Sequence, residues 1–207
     1  MAIWQSEFLI QNKSASNNKN NDNNTSTKII IRNLAENDFD TFSQYQSQLA
    51  QETTHTLKVV NRPPEMKITV DRWMKAKEDS LELILGAFDQ DRLIAICALH
   101  PYNRNSHPWI SHIALFGVGV LKKYWGQGLA QHLMSIIERH AQKSKIKKLE
   151  AGVRVQNERG VYFYKKLGFE IEGCRKNAAF IDGKYQDEFY IAKWIGLLDS
   201  SIRNFSS

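Results

Sequence analysis

Two glycines one residue apart, Gly126 and Gly128, separate an apolar run at Val118–Leu121 from a segment with helical spacing beginning near Leu129. A strand that feeds a glycine turn at a helix start builds an anion site. The first amides of a helix lack intrahelical partners, and the macrodipole adds about half a positive charge there. Glycine lets a phosphate come close to the backbone. The expected ligand group at Gly126, Gln127, Gly128, Leu129 and Ala130 is therefore a phosphate, best a pyrophosphate. The spacing is neither the G-x-x-x-x-G-K-S/T of nucleotide triphosphate loops nor a G-x-G-x-x-G opening a first βαβ unit. About thirty residues on, the run from Asn157 to Phe169 places an asparagine seven residues before Tyr164. Seven residues are nearly two helical turns at about 3.6 per turn, so both face one side.

The pair Lys123-x-x-Gly126-x-Gly128 and Asn157…Tyr164…Gly168-Phe169 resembles the GNAT superfamily of acetyl-CoA-dependent N-acetyltransferases, over roughly Lys28 to Trp194. The C-terminal run, Gly173-Cys174-Arg175 to Glu188, is similar to the ribosomal-protein and small-amine branch of that family. The family loop reads Q/R-x-x-G-x-G/A, so Lys123 departs from it, keeping the charge without the forked donors of arginine. The resemblance implies that Val118 and Val120 pair with the pantetheine arm and that Lys123 and Gly126–Ala130 hold the pyrophosphate. It further implies that Asn157 holds the cofactor arm and that Tyr164 gives a proton to the departing sulfur. A tyrosine near pKa ~10 stays protonated where a thiol near ~8.5 ionises. The residues alone leave open that Tyr164 is an aromatic anchor beside Phe163 and Phe169. Gly117 and Gly119 fit a strand approached by another chain.

An acetyl transfer also needs a base for the amine. Relatives place a glutamate where this chain has Leu115; His112, three residues earlier, is a candidate base acting directly or through water, and bulk water is the alternative acceptor. Glu52 and His55 stand where relatives contact the acceptor. Trp109, Tyr124, Trp125 and Tyr185 are candidate pocket walls or core residues, and Asp187 and Glu188 either attract an amine or cap a strand end. The implied reaction is direct transfer in a ternary complex to a primary amine, on a small molecule or a protein N-terminus. The alternative is a GNAT-like module that binds acyl-CoA without turnover, to which Leu115 lends support. No metal is implied.

The chain has 207 residues, 42% of them hydrophobic, with a net charge of +6. That length predicts one domain at 28–197, with a polar, Asn-rich, disordered tail at 1–27 and a short tail at 198–207. Met1–Ile10 has no signal-peptide pattern, and Ile3, Trp4, Phe8 and Leu9 suggest a short docked helix or a loose end. No apolar run approaches the ~18 residues of a membrane span. Cys97 and Cys174 read as buried thiols in a reducing, cytoplasmic setting. Arg139, Lys143, Lys145, Lys147 and Lys148 form a basic cluster that fits a solvated helix end better than a nucleic-acid surface. The expected partners are an amine acceptor, with no nucleic acid and no membrane, and the state is monomer or homodimer.

Periodicity predicts strands at 28–34, 81–88, 93–100, 109–121, 148–155, 169–180 and 185–195. It predicts a helix capped by Asn37 or Asp38 and running to about Gln51, and helices from Thr69 to Asp79, Gly126 to Lys143 and Glu158 to Leu167, the last stopped by Gly168. The class is α+β: a mixed, mostly antiparallel central sheet of six to seven strands with about four helices, as in the GNAT fold.

Overall fold

A computed structural model describes residues 4–11, 26–55, 64–102 and 108–196. The strands are β1 (Gln5–Gln11), β2 (Ser26–Asn33), β3 (Leu83–Asp89), β4 (Arg92–Pro101), β5 (Ile113–Val120), β6 (Lys148–Arg154), β7 (Glu170–Ile181) and β8 (Lys184–Trp194). The helices are α1 (Phe39–Glu52), α2 (Met66–Glu78), α3 (Leu129–Lys143) and α4 (Glu158–Lys166). The strand order is β1-β2-β3-β4-β5-β6-β8-β7. The β5–β6 pair is parallel, whereas β1–β2, β2–β3, β6–β8 and β7–β8 are antiparallel. The mixed sheet with four helices agrees with the sequence reading, but the described residues hold eight strands rather than six or seven.

The additional strand is β1, which falls where the sequence predicts a disordered tail or a short helix. Its exposure alternates: Ser6, Phe8 and Ile10 turn inward, while Glu7 and Leu9 are exposed. That period of two defines a half-buried strand. It pairs with β2 from Gln5↔Arg32 to Gln11↔Ser26. Residues 1–3, 12–25 and 198–207 of the predicted tails, and residue 197 at the end of the predicted domain, lie outside the described residues. So do residues 56–63, with most of the proline-containing polar segment.

The chain divides into two compact units, Met1–Ala98 with Gly117–Ile137 and Leu99–Phe116 with Glu138–Ser207. In the first, β3 is buried along nearly its whole length. A Cβ at Gly86 would come within 2.7 Å of Leu93 Cδ1 and 2.8 Å of Leu34 Cδ2, so this strand needs glycine there. The start of α1 is fixed by an ion pair between buried Asp38 and half-buried Arg32. Arg32 donates to both Asp38 oxygens, at 2.6 and 2.8 Å, and the Ala35 amide donates to Oδ2 at 2.7 Å. The guanidinium also lies 4.0 Å from the Phe88 ring centroid. Burial acts to raise the Asp38 pKa, but the Arg32 and Ala35 bonds outweigh it and hold the carboxyl below its ordinary 3.8.

Asp38→Ala removes the charge-assisted bonds from Arg32 and the Ala35 amide but leaves behind a guanidinium that solvent still reaches. Stability should therefore fall by about 1.5 kcal/mol, read from denaturant midpoints. Because the folded pKa is depressed, the stabilisation from Asp38 is complete above pH 3.8 and disappears as pH falls through the lower folded value. The variant should show a correspondingly weaker acid destabilisation. Equal stabilities of variant and parent at neutral pH would contradict the assignment.

In the second unit, β7 and β8 form a hairpin that turns at Asp182 and Gly183, with φ of 50° and 75°. Positive φ at both central residues is the turn that matches strand twist, as the Asp-Gly pair predicts. The predicted strand from Trp109 is shorter than expected. Pro108–Ile110 is a 3-10 turn, closed by the Ser111 amide on the Pro108 carbonyl at 3.3 Å, and β5 begins only at Ile113. Proline lacks the amide a strand ladder requires. Cys97 is buried as predicted, and burial pushes its thiol up to about 12. Cys174 is exposed, contrary to expectation, because the edge strand β7 has few covered positions.

Candidate active site

The glycine loop belongs to the first unit. β5 enters it through Leu121, fully buried, whose amide donates to Ile94 at 2.9 Å. Lys122–Tyr124 then form one 3-10 turn. Tyr124, predicted as a pocket wall or core residue, is a loop anchor. It is buried, its hydroxyl donates to Asp89 Oδ2 at 2.7 Å, and burial with that carboxylate pushes its pKa up to about 12. Trp125 Nε1 donates to the Val120 carbonyl at 2.7 Å, and Gln127 Nε2 to the Lys123 carbonyl at 2.8 Å. Gly126 and Gly128 sit at φ of 74° and 82°, a region that side chains rarely enter. The first bond of α3 runs from the His132 amide to the Gly128 carbonyl at 3.0 Å. The amides of Leu129, Ala130 and Gln131 thus precede any intrahelical partner, as an anion site requires. A Cβ at Gly126 would meet nothing within 4 Å, so the approach to its backbone is open.

The strand that leads into the loop has a free edge. The β5–β6 ladder consists of Ile113↔Lys148, Ala114↔Leu149 and Leu115↔Glu150. Among the described residues, no strand pairs with Gly117–Val120 on the edge away from β4. Val118 and Val120 lie on that edge; the Val120 carbonyl is taken by Trp125 Nε1, so an extended ligand arm would find the Val118 backbone and the Val120 amide beside it. The two strand glycines differ in role. Gly117 has open space around it, whereas a Cβ at Gly119 would come within 2.5 Å of Tyr45 Oη. Gly119 therefore admits α1 to the sheet.

Glu52 closes α1, and both its oxygens are engaged. Oε2 accepts from the Lys122 amide at 2.6 Å and Oε1 from Gln48 at 2.7 Å. It thus ties the helix end to the root of the loop. His55 is exposed just beyond, with its amide on Thr53 Oγ1 at 3.1 Å.

The Asn157–Tyr164 half belongs to the second unit. Asn157 is the N-cap of α4, with Oδ1 accepting from the Gly160 amide at 3.0 Å. A Cβ at Gly160 would come within 2.5 Å of Asn157 Nδ2, so glycine is what permits this cap. The Nδ2 group is left as a donor. α4 ends at Gly168, φ 85°, as the sequence predicts. The Tyr164 ring meets Phe116, Phe163 and Phe169 edge-on, with centroids 5.6, 5.2 and 5.6 Å away. Both readings of Tyr164 are therefore met at once: its ring packs as an anchor, and its hydroxyl has no hydrogen-bond partner among the described residues. Burial pushes its pKa up to about 12, so it is a phenol at any working pH.

His112, the candidate base, is half-buried in the same unit. Its carbonyl accepts from the Lys147 and Lys148 amides at 2.8 and 3.1 Å, and its ring centroid lies 6.1 Å from that of Trp194. Leu115 is 40% exposed.

The sequence reading named Asp187 and Glu188 but missed Glu150 and Arg154. Glu150 is the register neighbour of Leu115 and is ion-paired with Lys148 at 3.0 Å. Buried Arg154 lies 3.4 Å from Glu188, which also accepts from Arg175 at 3.0 Å. A Cβ at Gly152 would come within 2.7 Å of the Glu188 carboxylate, so that glycine makes room for it. The signal lay in cross-strand register, invisible until β6 and β8 are paired. Asp187 is held by Lys176 at 2.8 Å and the Asn177 amide at 2.9 Å. Trp109, 92% exposed, and Tyr185, 68% exposed and tilted against Phe180, are surface residues. In the basic cluster, Lys148 is paired with Glu150 and Glu172. Among the described residues no cluster of three His, Cys, Asp or Glu could hold a metal ion, and no helix is long and apolar enough to cross a membrane.

These features can be set beside known proteins. The acetyltransferase (GNAT) family model matches residues 44–169. L-amino acid N-acetyltransferase AaaT of Escherichia coli (strain K12) is 28% identical over 170 residues, which cover 81% of this chain and 98% of that protein. Ribosomal-protein-serine acetyltransferase of the same organism is 27% identical over 104 residues, 48% of this chain and 54% of that protein. Among solved structures, a GNAT-family acetyltransferase from Streptococcus pneumoniae aligns with a TM-score of 0.73 at 24% identity, covering 81% of this chain and 99% of that one. The yncA protein of Salmonella typhimurium, solved with its cofactor acetyl-CoA, aligns with a TM-score of 0.69 at 14% identity over 81% and 94% of the two chains. The family match spans both the glycine loop and the Asn157–Tyr164 helix, and the chain therefore belongs to the acetyltransferase (GNAT) family, as an N-acetyltransferase with that family's acetyl-CoA-binding fold.

Proposed function

We propose that this chain moves an acetyl group from acetyl-CoA to a primary amine, on a small molecule or at a protein N-terminus, by direct transfer in a ternary complex. The observation that carries the reading is the end of the β5–β6 ladder at Leu115–Glu150, followed by a free β5 edge that runs into two positive-φ glycines. On this reading Val118 and Val120 pair with the pantetheine arm. Lys123 and the amides from Gly126, Gln127, Gly128, Leu129 and Ala130 hold the pyrophosphate, and Asn157 Nδ2 donates to the arm.

The amine must arrive neutral, and His112 takes its proton. Nitrogen attacks the thioester carbon, the C–N bond forms, and the C–S bond breaks with its electron pair going to sulfur. Tyr164 donates a hydrogen bond to that sulfur. Its pKa of about 12 lies well above a thiol near ~8.5, so it stabilises the thiolate as a donor rather than ending as phenolate. The proton released by nitrogen balances the thiol formed. Glu52 and His55, at the end of α1, contact the acceptor. The relative named L-amino acid N-acetyltransferase supports the small-molecule arm of the acceptor class. Two free thiols accord with a reducing cytoplasm. We propose no nucleic-acid or membrane partner, and a monomer or homodimer.

The test is thiol release from acetyl-CoA across a panel of free L-amino acids, polyamines and N-terminal peptides. Amine-dependent release with at least one class supports the proposal. Tight CoA binding without turnover on every acceptor would favour a binding module, the reading that Leu115 suggests.

A further inference from the structure

Strand β1 lies outside the segment matched by the family model, yet it touches the loop. Phe8 is its inward-facing central residue, paired with Ile29 of β2. The Phe8 ring stacks on His132, with centroids 4.8 Å apart and planes 28° from parallel. Its Cζ lies 3.5 Å from the place a Cβ would occupy on Gly128, so the ring faces the side of that glycine where a side chain would stand. Gly128 and His132 are the two residues joined by the first hydrogen bond of α3. One aromatic ring therefore stacks on one end of the turn that offers its amides to the ligand and stands beside the other. The strand carrying it is fixed along seven register pairs. It is fixed again by the Trp4 amide on Asn33 Oδ1 at 2.7 Å and by the Lys28–Glu7 ion pair at 2.6 Å.

We infer that β1 is a buttress for the phosphate loop and that Phe8 is a positioning residue for acetyl-CoA. A loop built on two positive-φ glycines has many alternative conformations to lose. A ring stacked on His132 and standing beside Gly128 removes some of them before the ligand arrives, and preorganisation of this kind appears as affinity. Phe8 touches neither the amine nor the sulfur, so its effect falls on cofactor binding and not on the chemical step.

The inference rests on the proposed pyrophosphate site, and the test separates the two. CoA is titrated calorimetrically into wild type, Phe8→Ala, Phe8→Leu and Leu9→Ala, with steady-state kinetics on each. Leu9 is the outward neighbour, 60% exposed. The expected result is a Kd for CoA and a KM for acetyl-CoA raised about tenfold in Phe8→Ala, equivalent to about 1.4 kcal/mol. kcat at saturation should stay within twofold of wild type. Phe8→Leu should recover part of the loss, and Leu9→Ala should match wild type. Phe8→Leu also keeps the strand's apolar character should Phe8→Ala not fold. Wild-type CoA affinity in either Phe8 variant overturns the inference and leaves the functional reading standing. A fall in kcat with KM unchanged, or an equal loss in Leu9→Ala, overturns it as well. Absence of CoA binding by wild type overturns the functional reading and this inference together.

Discussion

Tyr164→Phe should lower kcat about a hundredfold and leave the KM for acetyl-CoA near that of wild type. Losing one donor aimed at developing charge costs on the order of a hundredfold or more in rate. The substitution is clean because the ring's edge-on contacts with Phe116, Phe163 and Phe169 do not use the hydroxyl. The hydroxyl has no described protein partner to be orphaned. pH profiles add a second readout. With a pKa of about 12, wild-type kcat should rise as the amine and its base deprotonate, then hold to about pH 10 without an alkaline fall from tyrosine ionisation. The Phe variant should keep that shape at lower amplitude. The same raised pKa carries a stability consequence. Burial of Tyr164 contributes fully below pH 10, its ordinary value, and that contribution is lost as pH rises through about 12. The alkaline loss of stability should be smaller in Tyr164→Phe. A variant with kcat within twofold of wild type across pH would show that the phenol takes no part in the chemistry.

The double substitution Gly126→Asp, Gly128→Asp should raise the Kd for CoA at least about a hundredfold, some 2.7 kcal/mol, while the protein stays folded. Space is not the reason. A Cβ at Gly126 meets nothing within 4 Å, and one at Gly128 meets only Phe8 Cζ at 3.5 Å. The backbone, at φ of 74° and 82°, strains any side chain, aspartate less than most, and that strain adds to the loss. What changes is charge: two carboxylates would face a pyrophosphate across a helix N-terminus. Circular dichroism should report an unchanged fold, and kcat/KM for acetyl-CoA should fall by the same factor as the affinity. Undiminished CoA binding in a folded double variant would remove the phosphate from this loop.

Local features of the site were legible in the sequence because local rules determine them. Positive φ at Gly126 and Gly128, the Asn157 start of α4 and its stop at Gly168 each follow from residues adjacent in the chain. The Asp182-Gly183 hairpin is of the same kind. Features set by distant pairing were not legible. Ser6, Phe8 and Ile10 alternate as a strand does, but their partner β2 lies beyond a polar stretch with no periodicity to signal the return. Glu150 becomes a neighbour of Leu115, and Glu188 of Arg154, only when the register of β6 is fixed on both sides. Tyr124 shows the same limit. Its type allowed either a pocket wall or a core position, and the bond to Asp89, 35 residues away, makes it an anchor of the loop.

The central claim is that backbone and Lys123 hold the pyrophosphate of CoA at the Gly126–Ala130 turn. Its most direct test is a calorimetric titration of the wild-type chain with CoA and, under the same conditions, with pantetheine, which shares the arm and thiol but lacks the phosphates. The expected result is saturable one-to-one binding of CoA, with pantetheine weaker by at least about a hundredfold, or about 2.7 kcal/mol. Equal affinities for the two, or no binding of CoA by the folded chain, would contradict it.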